Sequence, residues 1–534
     1  MSTENSLPLH HHHSIARSAG VIGLATFCSR LLGFLRDVVI ARIFGVYLYA
    51  QAFVIAFRIP NLFRDLLGEG AANAAFVPVF SEYTVKHSKE EFWELANVVL
   101  NLLLVILMSL TIVGIILSPV LVRLMAPGFV ASPEKLEITI RLNRIIFPYI
   151  LLVSLAAYSM GILNSLKHFA VPAFAPCLLN ISIIIFALAF GEGIKGLAWG
   201  VLAGGVLQLA IQIPVLYKKG FRLKLFSSFR HPAANEIARL MLPRVFSSGV
   251  YQLNNFVDSI FGSLSLIVGE GGVAVLYFAY RLIQFPLGIF STSLSQAILP
   301  VLSRQSAEGK LDELKLTLSF GLRATFFVMI PASVAFMVLA KPVIEGLFGG
   351  GKFDLYAINT TARVLIFYSL GLTAYGAIKI TQSCFFALKD TVTPTKVSVL
   401  TLALNVIFNL LLMFPMKLAG LALATSLSGI ISSLILFFRV RKRLSPFSAR
   451  PLIFSFLKIT CASLCMGIVC YFVSRHSLIP AGGIILRLAN LIYMVVAGLA
   501  SYTAFCFIFR LREMLEIYNW LFKKRNNRQI QAHV

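Results

Sequence analysis

The chain has 534 residues, of which 58% are hydrophobic and 13% charged, and its formal net charge is +25. A soluble domain is about 45–50% apolar and about 25% charged, so a soluble enzyme is excluded, and the apolar content equally excludes a disordered chain. The apolar runs are continuous and do not alternate in polarity, which excludes a β-barrel and predicts an all-α polytopic membrane protein.

In chain order, a polar N-terminal tail (residues 1–13) comes first. It carries no signal-peptide pattern, and its His10–His13 tract reads as a tag remnant or solvated tail rather than a metal site. Fourteen spans follow, near 16–43, 50–82, 92–122, 138–166, 171–192, 196–217, 236–264, 272–303, 312–347, 356–388, 394–415, 418–439, 452–474 and 484–511. Several exceed the roughly 20 residues that a bilayer requires and must tilt, bend or project. The Lys- and Arg-rich loops, with Lys86, Lys89, Lys218, Lys219, Arg222, Arg441, Lys442 and Arg443 among them, fall on one side together with the basic tail at 513–534. The positive-inside rule then predicts that both termini are cytoplasmic. The same rule and anionic headgroups account for the net charge, so membrane lipids are expected partners and nucleic acid is not. The seven cysteines lie in apolar runs without C-x-x-C spacing and read as small buried residues.

An internal repeat organises these spans. AFRIPNLFRDLLGEGAANAAFVPVFS (56–81) matches AYRLIQFPLGIFSTSLSQAILPVLS (279–303), with Arg58 on Arg281 and, with one residue of slip, Pro78 on Pro300. Six spans separate the copies, and an even number keeps both halves in one orientation. The expected division is therefore an N-terminal lobe at 14–220, a C-terminal lobe at 221–445 and two further helices at 446–512. Paired bundles of this kind suit alternating access.

Charges inside the spans mark candidate function, because each costs at least a few kcal/mol there. Span 1 carries Arg30, Arg36 and Asp37; span 2 carries Arg58, Arg64, Asp65 and Glu69, with Pro60 and G-E-G (68–70) expected to break the helix; span 8 supplies Arg281. One reading pairs these arginines with Asp37, Asp65 and Glu69 as structural ion pairs. However, the arginines outnumber the acids, and a guanidinium fork matches phosphate, so the other reading is an anionic, phosphate-bearing substrate. Elsewhere, Asp258, Asn405, Asn409 and Thr425 offer hard oxygen atoms for a monovalent cation such as sodium, or serve as interhelical hydrogen bonders. No H-E-x-x-H, G-x-S-x-G or G-x-x-x-x-G-K-[ST] pattern occurs, so neither an enzyme nor a primary pump is expected.

Five segments carry a family resemblance: SRLLGFLRD (29–37), ARIFG (41–45), AFRIPNLFRDLLGEGAANAAFVPVFSEY (56–83), FPYILLVSLAAYSMGILNS (147–165) and VPAFAPCLLNIS (171–182). Together they closely resemble the MurJ family of lipid II flippases, in the multidrug/oligosaccharidyl-lipid/polysaccharide exporter superfamily. The resemblance implies two six-helix lobes around a central cavity, with two C-terminal helices bordering a groove for the lipid tail. It implies functional arginines at Arg30, Arg36, Arg64 and Arg281, a sodium site of some members at Asp258, Asn405, Asn409 and Thr425, and no other cofactor. The implied activity is transfer of undecaprenyl-diphosphate-linked muropeptide to the outer leaflet of a bacterial inner membrane, alongside peptidoglycan-synthesis proteins. The alternative is another polyprenyl-diphosphate-linked oligosaccharide. The chain departs from the family where acids are usual: Gln51 in span 2, and Tyr280 and Gln284 flanking Arg281. With Asp37 and Glu69, Gln51 and Gln284 are the candidate gating or structural polar residues.

Overall fold

The computed structural model describes residues 9–64, 70–225, 231–444, 450–476 and 483–514. These are overwhelmingly helical, and the chain divides by its contacts into two units, Met1–Ser265 and Leu266–Val534. Exposed Ile106, Leu188, Phe438 and Phe472 would be unstable against water but suit lipid contact. Among the described residues, ten helical stretches are long and apolar enough to cross a membrane.

The first unit contains α1 (Leu9–Phe44), α2 (Leu48–Arg64), α3 (Gly70–Lys86), α4 (Lys89–Ile116) and α5 (Ser118–Met125), then α6 (Pro133–Ile146), α7 (Tyr149–Ser165), α8 (Ala170–Phe190), α9 (Ile194–Ala210), α10 (Ile213–Lys219) and α11 (Pro232–Ser263). Helix α8 packs against both α1 and α9, α2 against α6, and α3 against α7 and α11. The α8–α9 seam is close because Gly204 has no side chain: a Cβ there would lie 2.8 Å from the Cα of Leu179. Small residues set such approaches in membranes, where packing replaces the hydrophobic drive. Phe76, Phe80, Phe92 and Tyr158 form an aromatic cluster joining α3, α4 and α7. After α10 the chain is strapped along α4. Asn97 accepts from Lys224 N and donates to Arg222 O, and Asn101 donates to Lys224 O, which satisfies irregular backbone that would otherwise be costly to bury.

The short α12 (Ser265–Val268) leads into the second unit, which contains α13 (Gly272–Pro286), α14 (Thr292–Ala307), α15 (Leu311–Val338), α16 (Ala340–Leu347), α17 (Leu355–Ala387), α18 (Val392–Arg443), α19 (Arg450–Arg475) and α20 (Ile484–Ile508). Helix α17 is its hub, packing against α13, α14, α15, α16 and α18. Helix α18, at 52 residues, is too long for one span and reverses at Lys417, whose φ of 53° and ψ of −131° are non-helical. Its two halves correspond to the predicted spans 394–415 and 418–439. The C-terminal pair belongs to this unit, with α19 against α15 and α20 against α19 and α16.

Candidate functional site

On α1 the exposed Arg30 and the buried Arg36 have different surroundings. Arg36 is 5% exposed and Asp37 0%. Although neighbours in sequence, the two side chains meet: Arg36 donates from Nε (3.0 Å) and Nη2 (2.7 Å) to Asp37 Oδ1. A third bond runs from Arg36 Nη1 to Asn180 Oδ1 on α8 at 3.1 Å, and the Phe57 ring of α2 lies 5.8 Å from the guanidinium carbon. Arg36 is thus both an ion-paired residue and a placed one. A buried guanidinium needs such partners, because removing one from a buried pair costs about 3–5 kcal/mol.

Helix α2 continues through Pro60 instead of breaking there. Proline has no N–H for the carbonyl four residues earlier, here that of Ala56. Asn143 of α6 donates to Ala56 O at 3.1 Å, and its own Oδ1 is 2.8 Å from the Ser118 hydroxyl. Tertiary contacts therefore supply what the proline removes. Arg58 donates to the Ser259 hydroxyl of α11 and lies within electrostatic reach of Asp258. Arg64 is half-buried in the last turn of α2, whereas Asp65 and Glu69 lie outside the described residues. Gln51 is 1% exposed, and neither its Nε2 nor its Oε1 has a hydrogen-bond partner among the described residues.

In the second unit, half-buried Arg281 on α13 donates to Gln284 Oε1 at 3.4 Å and sits over the Tyr277 ring, 5.8 Å from its centroid. Tyr280 packs instead against Tyr368 of α17, with centroids 5.5 Å apart. A π-helical turn at Leu287–Ser291 follows Pro286, and Thr292 Oγ1 donates back to Leu287 O at 3.1 Å. Such single turns inside helices are frequent at functional sites. On α18, Asn409 Nδ2 donates to Asn405 Oδ1 (3.0 Å) and Asn405 Nδ2 to Thr425 Oγ1 (3.1 Å). Asn409 Oδ1 is buried without a partner among the described residues. Two amides and a hydroxyl suit a hard monovalent cation, and the open carbonyl oxygen is a ready ligand. Asp258 belongs to the first unit, apart from this trio in the division of the chain.

Among the polar residues inside spans that the sequence alone did not single out, Asn180, Asn143 and Lys379 stand out. Asn180 and Asn143 have no local signal beyond an amide in an apolar run, because their partners are distant in sequence. Lys379, half-buried in α17, is a further cation within a span.

A sequence model of the family described as lipid II flippase MurJ matches residues 40–502. The probable lipid II flippase MurJ of Buchnera aphidicola subsp. Acyrthosiphon pisum is 38% identical over 459 residues, covering 85% of this chain and 89% of that protein. The lipid II flippase MurJ of Burkholderia cenocepacia is 34% identical over 426 residues, covering 78% and 82%. Among solved structures, a lipid II flippase MurJ in an inward closed conformation superposes with a TM-score of 0.76 at 30% identity, covering 91% of this chain and 98% of that one. An inward-facing multidrug resistance transporter of the MATE family, at 18% identity and a TM-score of 0.65, shares the fold. With a family match over residues 40–502 and relatives 34–38% identical across more than three quarters of its length, the chain belongs to the lipid II flippase MurJ family.

Proposed function

We propose that this chain is a lipid II flippase, moving the undecaprenyl-diphosphate-linked peptidoglycan precursor from the inner to the outer leaflet of a bacterial cytoplasmic membrane by alternating access. The observation that carries this reading is the family match over residues 40–502. The set of arginines within spans fits the same cargo. Arg30, Arg36, Arg58, Arg64 and Arg281 are its candidate diphosphate partners, because a planar fork of N–H donors pairs with phosphate oxygens. The chain is read as crossing the membrane fourteen times with both termini cytoplasmic: α18 counts twice, and α1, the α2–α3 segment and α11 add to the apolar stretches. The prenyl chain runs along α19 and α20, where Ile492 and Val496 stand exposed beside half-buried Leu488. Sodium is the proposed coupling ion, with Asn405, Asn409 and Thr425 as its ligands in the second unit.

Transport by purified protein in vesicles tests the reading, with lipid II compared against a different polyprenyl-diphosphate glycan. The expected result is movement of lipid II alone. Arg36→Ala and Arg281→Ala should abolish transport, with the melting temperature of Arg36→Ala measured alongside because it breaks a buried ion pair, while Arg→Lys should recover only part of it. A lost charge-assisted contact costs about 1.5–3 kcal/mol, or roughly 10- to 150-fold in affinity. Equal movement of both glycans would replace lipid II with a broader substrate class, and wild-type transport by the alanine variants would remove the arginines from the site.

A further inference from the structure

Asn180 joins α8 to α1 through all three of its polar positions. Its Nδ2 donates to Ser29 O on α1 at 3.2 Å and to Pro176 O on its own helix at 3.3 Å, and its Oδ1 accepts from Arg36 Nη1 at 3.1 Å. The residue is 7% exposed. A carboxamide has two donor hydrogens and one acceptor oxygen, and here both donors are committed to main-chain carbonyls, which can only accept. A flipped amide would set its oxygen against two carbonyl oxygens and its NH2 against a guanidinium. The orientation of Asn180 is therefore fixed by backbone, and its oxygen has to face Arg36.

Asp37 alone would anchor Arg36 along one edge, since both of its bonds converge on a single oxygen, Oδ1. A planar cation held at one point can still pivot. Asn180 grips the other terminal nitrogen, and Phe57 stands over the group, so plane and tilt are both set. The second anchor is also neutral. A carboxylate in its place would add negative charge beside a group that is to meet phosphate, whereas an amide leaves the charge unchanged.

We propose that Asn180 is a positioning residue for Arg36, fixing the guanidinium in the orientation that meets the diphosphate. The proposal rests on the reading of Arg36 as a diphosphate ligand. Placement matters at this level, because a displacement of about 1 Å in a positioned group can cost on the order of a hundredfold in rate.

The test uses full-length protein in vesicles carrying lipid II, and compares Asn180→Ala, Asn180→Gln, Arg36→Lys and Arg36→Lys/Asn180→Ala, with Arg36→Ala as the reference for the arginine itself. Apparent affinity, maximal rate and melting temperature are read for each. Asn180→Ala should weaken apparent affinity on the order of tenfold, the loss expected for one hydrogen bond to a charged group. Asn180→Gln keeps the amide on a longer arm; it should bind more weakly by more than its fall in melting temperature accounts for. In the Arg36→Lys background, where the fork is gone, Asn180→Ala should change affinity less than twofold. If Arg36→Ala transports normally, the reading of Arg36 fails and the positioning role fails with it. If Arg36→Ala is inactive but the Asn180→Ala effect is undiminished in the lysine background, or Asn180→Gln binds like the wild type, positioning is overturned while the role of Arg36 stands.

Discussion

Gln51 shows how a single side chain can carry a cost without a visible return. Its amide is almost fully buried in α2, and both polar atoms are without partners among the described residues. An unsatisfied buried group costs about 1–3 kcal/mol, whereas an apolar replacement of similar shape can be neutral or stabilising. Gln51→Leu should therefore leave the melting temperature in detergent unchanged or raise it, and Gln51→Asp should lower it by adding a charge to the same environment. A clear loss of stability in Gln51→Leu would mean that the amide has a partner in the folded protein. At this scale the sequence was legible where partners are local. Asn405 and Asn409, four apart, do share a helical face and bond to each other. Arg36 was visible as a charge in a span, but Asn180 lies 144 residues away, and helical periodicity carries no information about which remote side chain will face it. The pairing of Arg58 with Ser259 was hidden for the same reason.

The elements themselves were read from apolar periodicity, and their irregularities from proline and glycine, with uneven success. Pro60 was expected to break its helix, yet α2 persists because Asn143 occupies the carbonyl that proline leaves open. The outcome depends on an amide from another helix, which local sequence cannot disclose. The reversal of α18 is different, because its cause is local. Lys417 adopts a positive φ, and Gly420 lies so close to the preceding half that a Cβ there would be 2.1 Å from Leu412 O. Two substitutions in this hairpin should therefore have opposite signs. Lys417→Gly relieves a backbone conformation that costs roughly 1–3 kcal/mol in a side-chain-bearing residue, and should raise the melting temperature. Gly420→Ala forces the two halves apart and should lower it, by at least the 1–3 kcal/mol typical of overpacking. Thermal unfolding of both variants in one detergent checks the pair, and matching signs would contradict this account of the turn.

For the whole molecule, the remaining question is what drives transport, since no phosphate-binding loop appears in the sequence. Two sources of energy fit the charges. A membrane potential is worth about 2.3 kcal/mol per elementary charge per 100 mV, and with the interior negative it favours outward movement of an anionic headgroup. Sodium can bias an equilibrium only through its different affinities for the states it joins, so it needs a site. The second unit offers one candidate in Asn405, Asn409 and Thr425, with the Asn409 carbonyl oxygen buried and unpartnered among the described residues. Neutral amides do not titrate, which favours sodium over a proton, and the same lack of charge disfavours a divalent ion. Asp258, which would add a negative charge, already has the Arg58 cation within reach, so the amide pair is the sharper place to test. Replacing sodium by choline in the vesicles should slow lipid II movement, and Asn409→Leu should reproduce the slow rate and abolish its response to sodium. Because Asn409→Leu also strips Asn405 Oδ1 of its donor, at a cost of about 1 kcal/mol, its melting temperature is measured alongside; a fall in transport far beyond the fall in stability assigns the effect to the ion. If sodium removal and Asn409→Leu are both silent while collapse of an imposed potential slows transport, the amides are interhelical hydrogen bonders and the headgroup's own charge supplies the coupling.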